Sequence, residues 1–139
     1  QGVSSAASDV YKRQRENDQE FKFYLDRFKY ASRFDEKDKD YHFYQAQNII
    51  KNWNFLLKDN PKRNFWLVGE NETIADWCIW PFVRQFKIAC EHQKIDNHFD
   101  DSMIRWLNYF ETNNNYKDVM NKYEIWNQSS KVSYFPLNI

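Results

Sequence analysis

Thr73-Ile-Ala-Asp76-Trp-Cys-Ile-Trp80-Pro81-Phe-Val-Arg84-Gln-Phe86-Lys-Ile-Ala-Cys90 is the stretch that decides how this chain folds. Thr73 and Asp76 have the spacing of a capping box. The hydroxyl can accept from the amide at the third helical position, and the carboxylate can reach back to the Thr73 amide. Between Ile74 and Val83 every side chain except Asp76 is apolar. A helix that is apolar all round belongs inside a domain, so this one is expected at its centre. Pro81 lacks an amide hydrogen and is expected to kink the helix near Trp77 to Trp80. At the exit, a half-buried Arg84 needs a carboxylate, either Asp76 or an acid on a neighbouring helix.

Immediately upstream, Phe65-Trp-Leu-Val-Gly69-Glu70 has the look of a strand but is too short to form a sheet alone. Gly69 is expected in a backbone conformation closed to other residues. Further upstream, Glu20 to Tyr30 reads as a helix with Phe21, Tyr24, Leu25 and Phe28 on one stripe. Asp38 to Lys58 reads as a second, longer helix. Its stripe is Tyr41, Ala46, Ile49, Ile50, Trp53, Leu56 and Leu57, and Asp59-Asn60-Pro61 stops it. The two are expected to pair antiparallel across residues 31–37. His42 has no partner of metal-ligand spacing and reads as a partly exposed filler.

Downstream, residues 91–101 read as a polar loop. His92 and His98, with Asp96, Asp100 and Asp101 nearby, lack the tight spacing of a zinc site. A helix capped by Asp101 or Ser102 should run to about Thr112, with Met103, Leu107 and Phe110 inward and Trp106 at the flank. Asn113-Asn114-Asn115 breaks the chain before a short last helix, Tyr116 to Tyr123. Trp126 and Tyr134-Phe135-Pro136-Leu137 are expected to fold back over the bundle. The fold class is therefore all-α, a bundle of about five helices around a buried central one.

Composition narrows the function classes. Ser4 to Gln14 matches the in-frame translation of a transposase-type sequencing adapter. Residues 1–14 are expected to be an artefact of that kind, with the native domain spanning 15–139 and its gene beginning upstream. Setting aside Asp9, Lys12 and Arg13 leaves 18 basic and 19 acidic residues, too even a balance to favour nucleic acid or an anionic membrane. Lys22, Arg27, Lys29 and Arg33 alternate with aromatic residues, as a nucleic-acid surface would. Asp26, Asp35, Glu36 and Asp38 dilute that charge. Gly69 is the one glycine of the native span, which argues against phosphate-cradling loops. Cys78 and Cys90 lie about 18 Å apart along one helix, beyond the roughly 7 Å that a disulfide allows. Free thiols suit a reducing compartment, so the cytoplasm is expected.

The central stretch, Thr-Ile-Ala-Asp-Trp-Cys-Ile-Trp-Pro-Phe-Val-Arg-Gln-Phe, resembles the signature helix of the C-terminal, all-helical domain of glutathione S-transferases. It is most similar to a bacterial branch that carries Pro-Phe-x-Arg-Gln-Phe. Phe65 to Glu70 resembles the family's lead-in to that helix, and Lys122-Tyr123-Glu124-Ile125-Trp126 its closing segment. Asp26-Arg27-Phe28-Lys29-Tyr30 with Arg33-Phe34 is similar to the end of the family domain's first helix. The chain departs from the pattern at Ala31, where Pro is expected, and at Phe28 and Phe34, where Tyr is expected. The resemblance spans about residues 20 to 127.

The resemblance implies specific roles. Thr73 and Asp76 would be structural. Tyr24, Arg27, Phe28 and Tyr30 would line the pocket of a small hydrophobic electrophile. Glutathione would be the co-substrate of the full-length parent, held and activated by an N-terminal thioredoxin-like domain outside this sequence. The domain alone would bind no cofactor, contain no catalytic residue and show no turnover. The parent would be a homodimer, without nucleic-acid or membrane partners. Loss of the other domain would leave an apolar docking patch exposed around Tyr24, Phe28 and Trp80. The alternative is a non-enzymatic protein of the same fold that uses its body for protein contacts.

The residues themselves supply no self-contained chemistry. There is no Ser/His/Asp order, no Cys-x-x-Cys, no paired histidines on one helix face and no phosphate loop.

Overall fold

The computed structural model describes residues 2–58 and 65–132. Six α-helical segments make up the described chain: α1 (Gly2–Glu16), α2 (Lys22–Lys29), α3 (Lys39–Lys58), α4 (Ile74–Gln93), α5 (Asp101–Glu111) and α6 (Asn114–Val119). A π-helical turn, Asn17–Phe21, joins α1 to α2, so these form one rod and the bundle has five rods among the described residues. The stretch expected to be adapter-derived is thus helical from Gly2, and Ser5 to Asp9 are exposed.

The helix expected at the centre lies there, although Ile74 at its start is exposed and Trp77, Cys78 and Phe82 are half-buried rather than enclosed. α4 packs against α1, α2 and α5, and Ala75, Asp76, Ile79, Val83, Phe86 and Cys90 are buried along its length. The helix runs unbroken through Pro81. Its N-terminus is a formed capping box, and its C-terminus closes on Lys94 in the left-handed region (φ 56°, ψ 37°). There the Ile95 amide donates to the Cys90 carbonyl at 2.9 Å, satisfying an end group that the helix cannot.

Two aromatic clusters fill the core. Phe86 stacks on Phe43 of α3 (5.8 Å, 7°) and meets Phe28 of α2 at 5.7 Å and Phe21 at 6.0 Å. Phe110 of α5 stacks on Trp80 (5.4 Å, 1°) and takes Trp77 and Trp106 edge-on. Offset and edge-on arrangements place each ring's positive edge against a negative face. Phe86 thus ties α2, α3 and α4 together, and Phe110 ties α4 to α5.

Several sequence expectations are corrected. α3 pairs with α2 as foreseen, but Phe43 rather than Tyr41 leads its inner stripe, and Tyr41 is 55% exposed. α4 runs on to Gln93, so His92 belongs to the helix and the loop begins later. α5 is capped by Asp100, whose Oδ1 accepts from the Met103 amide at 3.0 Å, one residue earlier than expected. Trp106 is not at the flank but wholly buried. α6 begins after an Asn113 cap and ends at Val119, short of Tyr123. Trp126 is 77% exposed and does not return to the bundle, while Tyr134 to Leu137 and the Asp59-Asn60-Pro61 stop lie outside the described residues. Phe28 and Trp80 are core residues, so of the docking patch expected around Tyr24, Phe28 and Trp80 only Tyr24 reaches the surface, half-buried. Both are recruited by the aromatic clusters, which hold their rings inward.

Candidate functional site

Asp76 is the best-connected polar residue of the core. It is fully buried, and its Oδ1 accepts from the Leu67 amide and from Trp106 Nε1, both at 3.0 Å. Its Oδ2 accepts from the Thr73 amide and the Thr73 hydroxyl, both at 2.9 Å. One carboxylate therefore joins the lead-in, the start of α4 and the middle of α5. All four donors saturate its lone pairs, as a buried charge requires. Such a group holds the fold and has no capacity left for substrate. Arg84 finds its acid in Glu111 of α5 (3.1 Å), the neighbouring-helix option, with Tyr116 beneath the guanidinium.

The end of α2, the turns Ala31–Arg33 and Glu36–Asp38, and the last turns of α4 border an open surface cavity of about 560 Å³. That volume falls within the roughly 300–1,000 Å³ typical of small-molecule sites. Phe28, Ala31, Ile88 and Ala89 supply apolar wall, and Tyr30, Lys29, Lys39, Glu36, His92 and Gln93 supply polar groups. Lys29 Nζ donates to Gln85 Oε1 at 3.0 Å, whereas Lys39 has no carboxylate within 4 Å among the described residues. Gln93 Oε1 is buried without a hydrogen-bond partner, an acceptor that a bound donor would satisfy.

Of the four residues expected in a pocket, Phe28 and Tyr30 line this cavity and Tyr24 and Arg27 do not. Tyr24 sits with Phe23, Tyr41 and His42 in an outer aromatic group. The Arg27 guanidinium lies over Phe23 at 3.6 Å and Phe34 at 4.7 Å. Burial, with Tyr41 next to it, pushes the Tyr24 hydroxyl above its usual pKa. Burial and the Arg27 charge pull His42 below its usual range. The His42 Nδ1 is buried and unpartnered, as suits a neutral imidazole in a filler role.

The α4 contribution to the cavity, Ile88, Ala89, His92 and Gln93, was not foreseen. Their three-and-four spacing was visible, but nothing in a spacing pattern says which neighbour that face will meet. His98 pairs with Asp96 at 3.3 Å on the surface, and His92 stands apart at the cavity. Among the described residues no group of three or more His, Cys, Asp or Glu side chains is placed to hold a metal ion.

Chemically, the arrangement can hold and orient a small molecule, but the cavity walls offer no activated nucleophile. Cys90 is buried in the core, and its thiol is pushed up to about 12 by that burial, so it is not a thiolate at neutral pH. Among the described residues no helix is long and apolar enough to cross a membrane. Comparisons with family models, with curated proteins and with solved structures return no match.

Proposed function

We propose that this chain is the helical, substrate-positioning part of a glutathione-transferase-like protein, working beside a thioredoxin-like domain. The observation that carries the reading is the placement of Phe28 and Tyr30. Two residues picked from the resemblance alone line a cavity of suitable size with an apolar wall. The formed Thr73–Asp76 box agrees with the structural role that the resemblance implies. The burial of Phe28 and Trp80 weighs on the other side, because the partner domain then has to dock elsewhere.

In this reading the partner domain binds glutathione and stabilises its thiolate by hydrogen bonding to the sulfur. The thiolate attacks the electrophilic carbon, a carbon–sulfur bond forms and the leaving group departs with the bond's electron pair. Tyr30 and Ile88, with the edges of Ala31 and Ala89 and with Phe28 beneath them, contribute by fixing the electrophile's apolar body in place, which lowers the entropic part of the barrier. The second reading, a non-enzymatic protein of the same fold, draws support from the exposed aromatic side chains Phe23, Phe34, Tyr41 and Tyr44.

A backbone NMR titration of the chain with 1-chloro-2,4-dinitrobenzene discriminates the two. Saturable shifts confined to residues 28–32 and 88–93, with no conjugation when glutathione is added, are expected. Shifts elsewhere only, or turnover by this chain alone, would overturn the transferase reading.

A further inference from the structure

Two groups on the walls of the cavity have no partner within the fold. Gln93 Oε1, from α4, is shielded from solvent and accepts no hydrogen bond. A glutamine amide turns about a soft terminal torsion, so bringing this oxygen to the cavity breaks no bond that it makes. Lys39, from α3, is half-buried and has no carboxylate within 4 Å among the described residues. It is the first residue of that helix, where a cation opposes the macrodipole, so the dipole gives it no structural role.

Charge around the cavity is uneven. Lys29 and Lys39 face one carboxylate, Glu36, which is solvent-exposed. Lys29 is fixed in place, because its Nζ donates to Gln85 Oε1 at 3.0 Å and lies 4.8 Å from the centre of the Tyr30 ring. The Arg33 guanidinium covers the same ring at 4.5 Å and adds a third positive charge beside it. The chain as a whole is formally neutral, so this excess is local.

We propose that the cavity takes a small aryl carboxylate that carries a hydroxyl group. The carboxylate pairs with Lys39, the ring lies against Tyr30 and Ile88, and the hydroxyl donates to Gln93 Oε1. A neutral apolar molecule would leave Gln93 Oε1 and Lys39 unsatisfied, and a cation would meet the positive excess. This ligand class rests on the cavity that the transferase reading assigns to its electrophile, while binding itself does not require that reading.

Backbone NMR titration of the full chain with 4-hydroxycinnamate tests it. The controls are cinnamate, which lacks the donor, and 4-hydroxycinnamamide, which lacks the charge. Shifts at residues 28–32, 36–39 and 88–93 are expected, with a Kd of about 1 mM for a ligand of this size in an open cavity. Each control should bind about five- to tenfold more weakly, the worth of one hydrogen bond or charged contact. Gln93→Leu should bring 4-hydroxycinnamate down to the level of cinnamate and leave cinnamate unchanged. Lys39→Gln should bring it down to the level of the amide and leave the amide unchanged. A merely structural effect would weaken every ligand alike. Circular dichroism confirms that both variants fold.

Equal affinity for 4-hydroxycinnamate and either control overturns the proposal. So does a uniform loss across ligands in Gln93→Leu, or the absence of shifts at the cavity. If 1-chloro-2,4-dinitrobenzene shifts the cavity residues and 4-hydroxycinnamate does not, the ligand class fails and the transferase reading stands. The reverse result upholds the ligand class and removes the transferase reading.

Discussion

The two cysteines differ in what surrounds them, and that difference is measurable. Cys90 is buried with its thiol pushed up to about 12, whereas Cys78 is half-buried on the α1 side of α4, within 3.9 Å of Gln14. Iodoacetamide at pH 8 should therefore label Cys78 first, with Cys90 reacting only as fast as the bundle opens. Peptide mass spectrometry over time reads the two rates, and equal rates would contradict the burial. His42 makes a second prediction. Burial and Arg27 lower its pKa in the fold, and Asp38 opposes them weakly. The unfolded chain therefore binds the extra proton first as pH falls. His42's contribution is complete above the unfolded value of about 6.5 and is lost as pH drops toward the lowered folded value. His42→Gln should flatten the slope of urea midpoint against pH in that window, and an unchanged slope would contradict the assignment.

At the scale of elements, the helix ends turn on backbone sign. Gly69 has φ +71°, and a Cβ there would meet nothing within 4 Å. Gly69→Ala should thus cost only the left-handed penalty, about 1–2 kcal/mol. Lys94 occupies the same region at the end of α4, where glycine is preferred, so Lys94→Gly should gain about 0.5–1 kcal/mol. Chemical denaturation of both variants checks the pair, and changes of the same sign would contradict the argument. The lead-in and the α4 start were legible because Gly69 and the Thr73-x-x-Asp76 box are local signals. The α5 start was misread by one residue because Asp100, Asp101 and Ser102 are all good caps, and only the Met103 amide selects Asp100. Tyr41 was misplaced because it lies nine residues before Ile50, half a turn out of phase, whereas Phe43 lies seven before Ile50 and continues its line.

For the whole molecule, an all-α bundle around one apolar helix could be read from periodicity and near-absence of glycine. What could not be read is the set of long-range pairings: Arg84 with Glu111, Trp106 with Asp76, and the face of α4 that closes the cavity. These depend on which helices become neighbours, and spacing constrains that only weakly. The core is held at one point more than any other, the Asp76 carboxylate with its four donors from the lead-in, α4 and α5. The most direct measurement is equilibrium unfolding of Asp76→Asn in urea, followed by fluorescence. With a neutral amide in place of the carboxylate, buried donors at Leu67 and Trp106 lose a charged acceptor. A loss of at least about 3 kcal/mol is expected, with the slope m unchanged. A loss under about 1 kcal/mol, the range of ordinary surface substitutions, would contradict Asp76 as the residue around which the bundle is organised.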